Sequence, residues 1–197
     1  MIMLLSIALI FPFNKKLNIG EVLKYEASFS NVNAGEGSLK NFGIEKIEDH
    51  ETYHVQFKAK TKGLTDKIFP IMDVIDLWLD KKSLLPLRVK SNIREGRYSK
   101  KEDIYFFQEN KYALKDNKKI IIKKNTHSPF SLFYFFRSLN IKNLVEKKIN
   151  ILQGNKVQTL NVNIKKNISI SVPAGRFKCI RVTPTKIKGG KFKNDAK

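Results

Sequence analysis

The sequence has little cysteine and little histidine, with one cysteine and three histidines among 197 residues. A single thiol excludes an intramolecular disulfide. His50, His54 and His127 lack the short, fixed spacing of zinc ligands, and Cys179 lies far from all three in the sequence. We therefore predict no metal site and no cofactor, and we interpret Cys179 as a small core residue.

The motifs of common catalytic centres are also missing. The chain has no Gly-x-Ser-x-Gly nucleophile elbow and no phosphate-binding glycine loop. Asp73, Asp76 and His54 are the candidates for acid–base chemistry, but Asp73 and Asp76 fall on opposite faces of a predicted strand. We therefore predict no catalytic residues and no enzymatic activity. A hydrolase built on Asp73 or Asp76 with His54 is kept as a remote alternative.

Acidic residues are scarce, since 18 of them stand against 38 basic residues and give a formal net charge of +20. Such a charge favours a polyanionic partner or an anionic membrane surface. Only six of the basic residues are arginines, however, and the lysines are spread along the whole chain rather than clustered. A solvated lysine surface is therefore the leading interpretation, and the alternation of aromatic and basic residues at Tyr98–Phe107 indicates ordinary strands rather than a nucleic-acid platform.

Long apolar runs are confined to the N-terminus. Residues 1–13 are almost entirely apolar, and Lys15 and Lys16 follow. This length suits a signal peptide better than a membrane span, so residues 1–16 are predicted to be a signal peptide or an N-terminal apolar segment, with a buried first strand as the alternative. Residues 17–197 are then one domain, exported to the periplasm or the cell envelope.

Apolar and polar residues alternate with period two along most of this domain, which predicts amphipathic β-strands. The first set is Leu23, Tyr25, Ala27 and Phe29, and further sets occupy residues 53–61, 75–79 and 85–93. Turn residues separate these sets at hairpin-like spacing. The fold class is therefore mainly β, as a single curved antiparallel sheet or incomplete barrel made of meander hairpins.

One segment breaks this alternation. Ser128 and Pro129 resemble the start of a helix, and the residues after them are apolar nearly all round. We predict one short helix near residues 129–139, buried as a plug against the curved sheet. A helix lying on a membrane surface is the alternative.

Several ordered stretches of the chain resemble an exported bacterial family known as domain of unknown function 3108. The stretches are Gly20-Glu21-Val22-Leu23-Lys24-Tyr25, Ala34-Gly35-Glu36-Gly37, Asp73 with Leu79-Asp80 and Leu84-Leu85-Pro86-Leu87, Ser128-Pro129-Phe130-Ser131 with Phe136-Arg137, and Val172-Pro173-Ala174-Gly175-Arg176-Phe177. The resemblance implies an envelope location and a curved β architecture. It implies no activity, cofactor or catalytic residue.

Two functional hypotheses follow from these patterns. The leading one is a non-enzymatic envelope protein that binds a lipid, a glycolipid or an extended partner segment in an apolar concavity lined by Trp78, Phe130, Phe133 and Phe136. The alternative for these four side chains is that they simply fill the core. The second hypothesis is a structural or assembly factor that binds an anionic envelope polymer or lipid headgroups through its lysine-rich surface. Nucleic acid is not expected as a partner, and the pattern does not fix the oligomeric state.

The C-terminal segment predicts that the chain is cut short. Pro173-Ala174-Gly175 reverses the chain into a strand, and residues 186–197 then resemble the entry to a further hairpin. An open strand edge would invite pairing with another chain. A natural terminus with a lysine-rich tail is the alternative.

Overall fold

The computed structural model describes residues 17–29, 32–138, 146–172 and 174–186. The predicted signal peptide and the predicted truncation at the C-terminus lie outside these residues. Among the described helices, none is both long enough and apolar enough to span a bilayer.

Eight strands form one antiparallel sheet in which spatial order follows sequence order. The strands are β1 (Val22–Phe29), β2 (Val32–Ile47), β3 (His50–Thr61), β4 (Met72–Asp80), β5 (Pro86–Glu95), β6 (Tyr98–Phe107), β7 (Tyr112–Lys115) and β8 (Lys118–Ile121). Because β1 and β8 pair on one side only among the described residues, the sheet does not close into a barrel. The predicted mainly-β meander is confirmed.

The alternation seen in the sequence places one face of this sheet in the core. Val55 of β3 pairs with Leu77 of β4, which pairs with Val89 of β5, and all three are buried. Directly paired residues of antiparallel strands point to the same face, so these side chains form a continuous apolar layer. The opposite face, here called the outer face, carries the intervening polar residues.

A second, smaller sheet follows in the chain, in addition to the predicted one. It contains β9 (Thr126–His127), β10 (Glu146–Gln153), β11 (Lys156–Val172) and β12 (Gly175–Lys186), in the order β12-β11-β10-β9. The short β9 runs parallel to β10, and the other pairs are antiparallel. The sheet buries Ile149, Ile151, Leu160, Val162 and Ile164 in a core cluster of its own.

The predicted buried helix is α2 (Ser131–Ser138). Its first amide, that of Ser131, donates to the Ser128 hydroxyl at 3.0 Å, so Ser128 caps the helix as predicted. Tyr134 of α2 joins the core of the large sheet, whereas Leu132 joins the core of the small sheet. The helix is apolar nearly all round because its side chains pack against both sheets.

A second helix, α1 (Gly63–Ile68), links β3 to β4 and was not predicted from the sequence. It is one and a half turns long, and none of its residues is buried.

Candidate functional site

Flat and cationic side chains stack across five strands on the outer face of the large sheet, and we call this set the outer-face ladder. In order across the sheet, its members are Lys40, Phe42, His54, Trp78, Arg88 and Tyr105.

Successive members of the ladder are in van der Waals contact. The rings of Phe42 and His54 are 4.9 Å apart, and those of His54 and Trp78 are 4.7 Å apart and nearly parallel. The Arg88 guanidinium lies 4.8 Å from the ring centres of both Trp78 and Tyr105. These distances are typical of aromatic stacking and cation–π contacts. Because His54 lies between Phe42 and Trp78, and Trp78 lies between His54 and Arg88, these two central rings stabilise the sheet rather than offer their faces to a ligand.

A β-bulge in β2 brings an acidic residue to this ladder. The register shifts between Asn41 and Gly43, so that Phe42 is the extra residue opposite His54. The buried Asn41 holds the bulge by accepting a hydrogen bond from the Gly43 amide at 3.1 Å. Beyond the bulge the alternation is reversed, which puts Glu45 on the same face as His54.

Two carboxylates flank the His54 ring. Its Nδ1 lies 2.8 Å from Glu45 Oε1, and its Nε2 lies 2.9 Å from Asp76 Oδ1. Trp78 Nε1 also donates to Glu45 at 2.7 Å. The Trp78 hydrogen bond, together with a smaller contribution from His54, holds the pKa of Glu45 below its ordinary value despite partial burial.

This arrangement bears on the hydrolase that the sequence left as a remote alternative. The structure brings His54 to Asp76, as that hypothesis required, but Asp73 lies on the opposite face and accepts from the Arg94 amide at 3.0 Å. Burial raises the pKa of Asp73. A general base needs a ring nitrogen that can take a proton from substrate, and both nitrogens of His54 already face carboxylates. The geometry therefore favours a structural role for this group.

A serine–histidine contact lies at the start of α2. His127 Nδ1 is 3.2 Å from Ser131 Oγ, but both side chains are buried. The Ser131 hydroxyl donates to the Ser128 carbonyl at 3.0 Å and accepts from the Ser128 amide. These bonds are those of a helix cap, so Ser131 is not placed as a nucleophile.

The structure does not bring the four predicted ligand-binding residues together. Phe130 and Phe133 pack on Phe57 of the large sheet, with ring centres 5.7 and 6.1 Å apart, and Phe136 packs on the core of the small sheet. Trp78 lies on the outer face, away from all three.

The surroundings of these side chains resemble a filled core more than a cleft. Phe130 and Phe133 pack against the buried cluster of the large sheet. A depression of about 500 Å³ on β4, β5 and β6 is lined mostly by polar and charged side chains, which include Asp76, Lys90, Lys101 and Asp103, and by none of the four predicted residues. The packing therefore gives more support to the alternative in which these aromatic residues complete the interior.

A buried ion pair joins β1 to the end of α2. Arg137 has a fully buried side chain and donates to both carboxylate oxygens of Glu21, through Nη1 and through Nη2 at 2.6 Å. The Tyr25 and Tyr134 side chains lie within electrostatic reach of this pair, and burial raises the pKa of Tyr25 to about 12. Two stretches that carry the family resemblance, around Glu21 and around Arg137, therefore meet in space.

The small sheet is strongly basic, a feature that sequence reasoning missed. Residues 147–186 contain nine basic residues and no aspartate or glutamate, which was visible in the sequence as an acid-free stretch. Lys165, Arg176, Lys178 and Arg181 are exposed on β11 and β12. The large sheet differs, because many of its lysines are neutralised by carboxylates, as Lys60 and Lys62 are by Glu36.

The outer half of the β11–β12 hairpin is also amphipathic. A bulge between Lys165 and Ile168 changes the alternation of β11, so that Ile168 and Ile170 face the same side as Cys179 and Phe177. None of these four belongs to either core cluster, and Phe177 is exposed. Lys165 and Arg181 pair with each other on this same side, whereas Lys178 and Arg176 pair with Ser169 and Ser171 on the other side. Among the described residues, the hairpin thus has apolar and basic side chains on one side and further cations on the other.

The described residues contain no group of three or more His, Cys, Asp and Glu side chains that could hold a metal ion. Taken together, they define a mainly antiparallel β protein with a packed core, a structural ladder on one face and a basic second sheet.

The chain belongs to the family described as protein of unknown function (DUF3108), whose model matches residues 24–197. This agrees with the resemblance seen in the sequence. No curated protein and no solved structure matches the chain.

Proposed function

We propose that this protein is a non-enzymatic component of the cell envelope, exported from the cytoplasm, that binds the anionic headgroups of a membrane surface. The observation that carries the proposal is the stretch of the small sheet from residue 147 to residue 186, which contains nine basic residues and no aspartate or glutamate. Lys165, Lys178 and Arg181 are exposed in this stretch, so their positive charges face solvent where an external partner can reach them. The apolar side chains of the same hairpin suit a lipid surface better than a soluble polymer.

The size of the effect follows from the charges. Each lysine or arginine near an anionic bilayer contributes about 1 kcal/mol to binding. Three such residues therefore contribute about 3 kcal/mol, which is roughly a 100-fold change in affinity. Because the interaction is electrostatic, it weakens as the ionic strength rises and the Debye length shortens.

Vesicle co-sedimentation tests this proposal. The full chain is mixed with vesicles that contain phosphatidylglycerol or with vesicles of phosphatidylcholine alone, at low and at high salt. We expect binding to the anionic vesicles that falls with salt, and a loss of about 100-fold in the triple variant Lys165→Gln, Lys178→Gln, Arg181→Gln.

A matched control separates position from net charge. The variant Lys60→Gln, Lys81→Gln, Lys100→Gln removes the same three charges, but these lysines already pair with Glu36, Glu51 and Glu102. It should bind nearly as wild type does. Equal losses in the two variants, or salt-independent binding, would refute the proposal, and binding to dextran sulfate without binding to vesicles would replace the lipid with a polymer.

A further inference from the structure

Large apolar side chains are exposed together at one end of the large sheet. Leu64 and Ile68 of α1 are 70% and 83% exposed, and they lie one turn apart on the same side of the helix. Phe69 and Met72, which follow the helix, are also about half exposed. We call residues 62–72 the α1 tip.

The α1 tip is held in a defined conformation. The Phe69 amide donates to the Thr65 carbonyl at 2.8 Å and closes the helix. Thr61 Oγ1 donates to Asp66 at 2.6 Å and accepts from the Ile71 amide at 2.8 Å. The backbone of this loop is therefore bonded to the sheet, and its apolar side chains are held toward solvent.

A close approach to the next turn anchors the tip further. Gly96, between β5 and β6, has φ +58° and donates its amide to the Pro70 carbonyl at 2.8 Å. A Cβ atom at this position would lie 2.7 Å from the Phe69 ring. The glycine thus lets the Phe69 ring rest on the backbone, and part of that ring stays exposed.

Basic side chains surround these apolar residues. Lys67 is exposed within the tip and Arg97 is exposed in the adjacent turn, while Lys62 pairs with Glu36 and the exposed Asp66 accepts a hydrogen bond from Thr61. A short loop with apolar side chains at its surface and cations around it matches the interface of an anionic bilayer, where acyl chains lie beneath charged headgroups. A protein partner fits less well, because one and a half helical turns offer far less than the roughly 800 Å² per partner of a stable interface.

We propose that the α1 tip inserts Leu64, Ile68 and Phe69 into the interfacial layer of an anionic membrane, while the basic residues around it contact headgroups. This inference rests on the proposed binding to anionic lipid, and it adds a second, apolar contact at a site remote in sequence from the small sheet.

A fluorescent label reports insertion directly. In a Cys179→Ser background, Ile68→Cys carries an environment-sensitive fluorophore, and Ile121→Cys carries the same label as a control. Ile121 is matched because it is 73% exposed but lies on β8, away from the tip. With phosphatidylglycerol vesicles, we expect the emission at position 68 to rise and shift to the blue, and the emission at position 121 to change little.

Unlabelled variants supply a second measurement. The double substitution Leu64→Ser, Ile68→Ser should weaken vesicle binding about tenfold or more, because two large apolar side chains no longer leave water. Ile121→Ser should have little effect. Both variants change exposed residues, so circular dichroism should show a folded chain in each case.

The possible results separate the two proposals. Suppose that wild type binds in a salt-dependent way, that the label at position 68 does not respond, and that the double variant binds as wild type does. These results would overturn insertion and leave headgroup binding intact. Failure of wild type to bind any vesicle would overturn both. Every variant keeps residues 1–16, so differences among them report on the substitutions alone.

Discussion

The buried pair between Glu21 and Arg137 allows a quantitative prediction. Arg137→Met removes one partner and leaves the Glu21 carboxylate beside α2 without its guanidinium. Breaking a buried ion pair in this way costs about 3–5 kcal/mol. The Arg137 side chain is fully buried, but that of Glu21 keeps 16% of its exposure, so water can relieve part of the loss. We therefore expect the lower end of the range, about 3 kcal/mol.

A double-mutant cycle shows whether the loss comes from the unpaired charge. Glu21→Gln should cost a similar amount, because it removes the carboxylate charge that pairs with the buried guanidinium. The double variant Glu21→Gln, Arg137→Met leaves no charge behind, so it should be destabilised by no more than about 2 kcal/mol. The cost of the double variant is then well below the sum of the two single costs.

Urea unfolding, followed by Trp78 fluorescence and by circular dichroism, measures these free energies. Glu51→Gln is the control, since it breaks an ion pair with Lys81 in which both side chains are about half exposed, and it should cost well under 1 kcal/mol. A loss below about 1 kcal/mol for Arg137→Met, or a double variant equal to the sum of the singles, would refute the reasoning.

Three further predictions concern a turn, a helix cap and a buried phenol. Gly96→Ala should lower the free energy of unfolding by about 2 kcal/mol, because it combines positive-φ strain with a clash against Phe69. Gly154→Ala has the same strain but open space around the new methyl group, so it should lower that free energy by about 1 kcal/mol. Equal losses in urea unfolding would contradict the clash. Ser128→Ala should cost about 1 kcal/mol by removing the cap of α2, and an unchanged midpoint would contradict that role. Burial raises the pKa of Tyr25 to about 12, so the stability that this shift contributes is present below pH 10 and is lost as the pH rises through 12. An ultraviolet titration of the phenols should lose the component that ionises near pH 12 in the variant Tyr25→Phe. An unaltered titration curve would show the assignment to be wrong.

The sequence was informative where alternation is unbroken. Leu77 and Val55 could be placed in the core, and His54 on the opposite face, because period two assigns faces directly. The same rule, applied to Trp78, predicts that its side chain lies on the outer face. It alternates with the buried Leu77 and Leu79, so it had to face away from them and from any cleft on the core side.

Other features depend on breaks in the pattern, and they were missed. Leu39 is buried and Ile44 packs against the same core, although the two residues are an odd number apart, and only a bulge reconciles this. That bulge brings Glu45 to His54, so the site could not be assembled from uninterrupted alternation. Helix α1 was missed because it is short and its apolar residues, Leu64 and Ile68, face solvent. It therefore has no buried apolar face whose helical spacing would show in the sequence.

The order of the large sheet has a consequence for how the chain reaches its native state. Each of its strands pairs with its neighbour in sequence, so every hairpin closes a short loop at low entropic cost. The contact between Glu21 and Arg137 spans 116 positions instead. We expect it to form after the hairpins, on the native side of the folding barrier. Its loss should then speed unfolding and leave the refolding rate nearly unchanged, a difference that stopped-flow kinetics resolves.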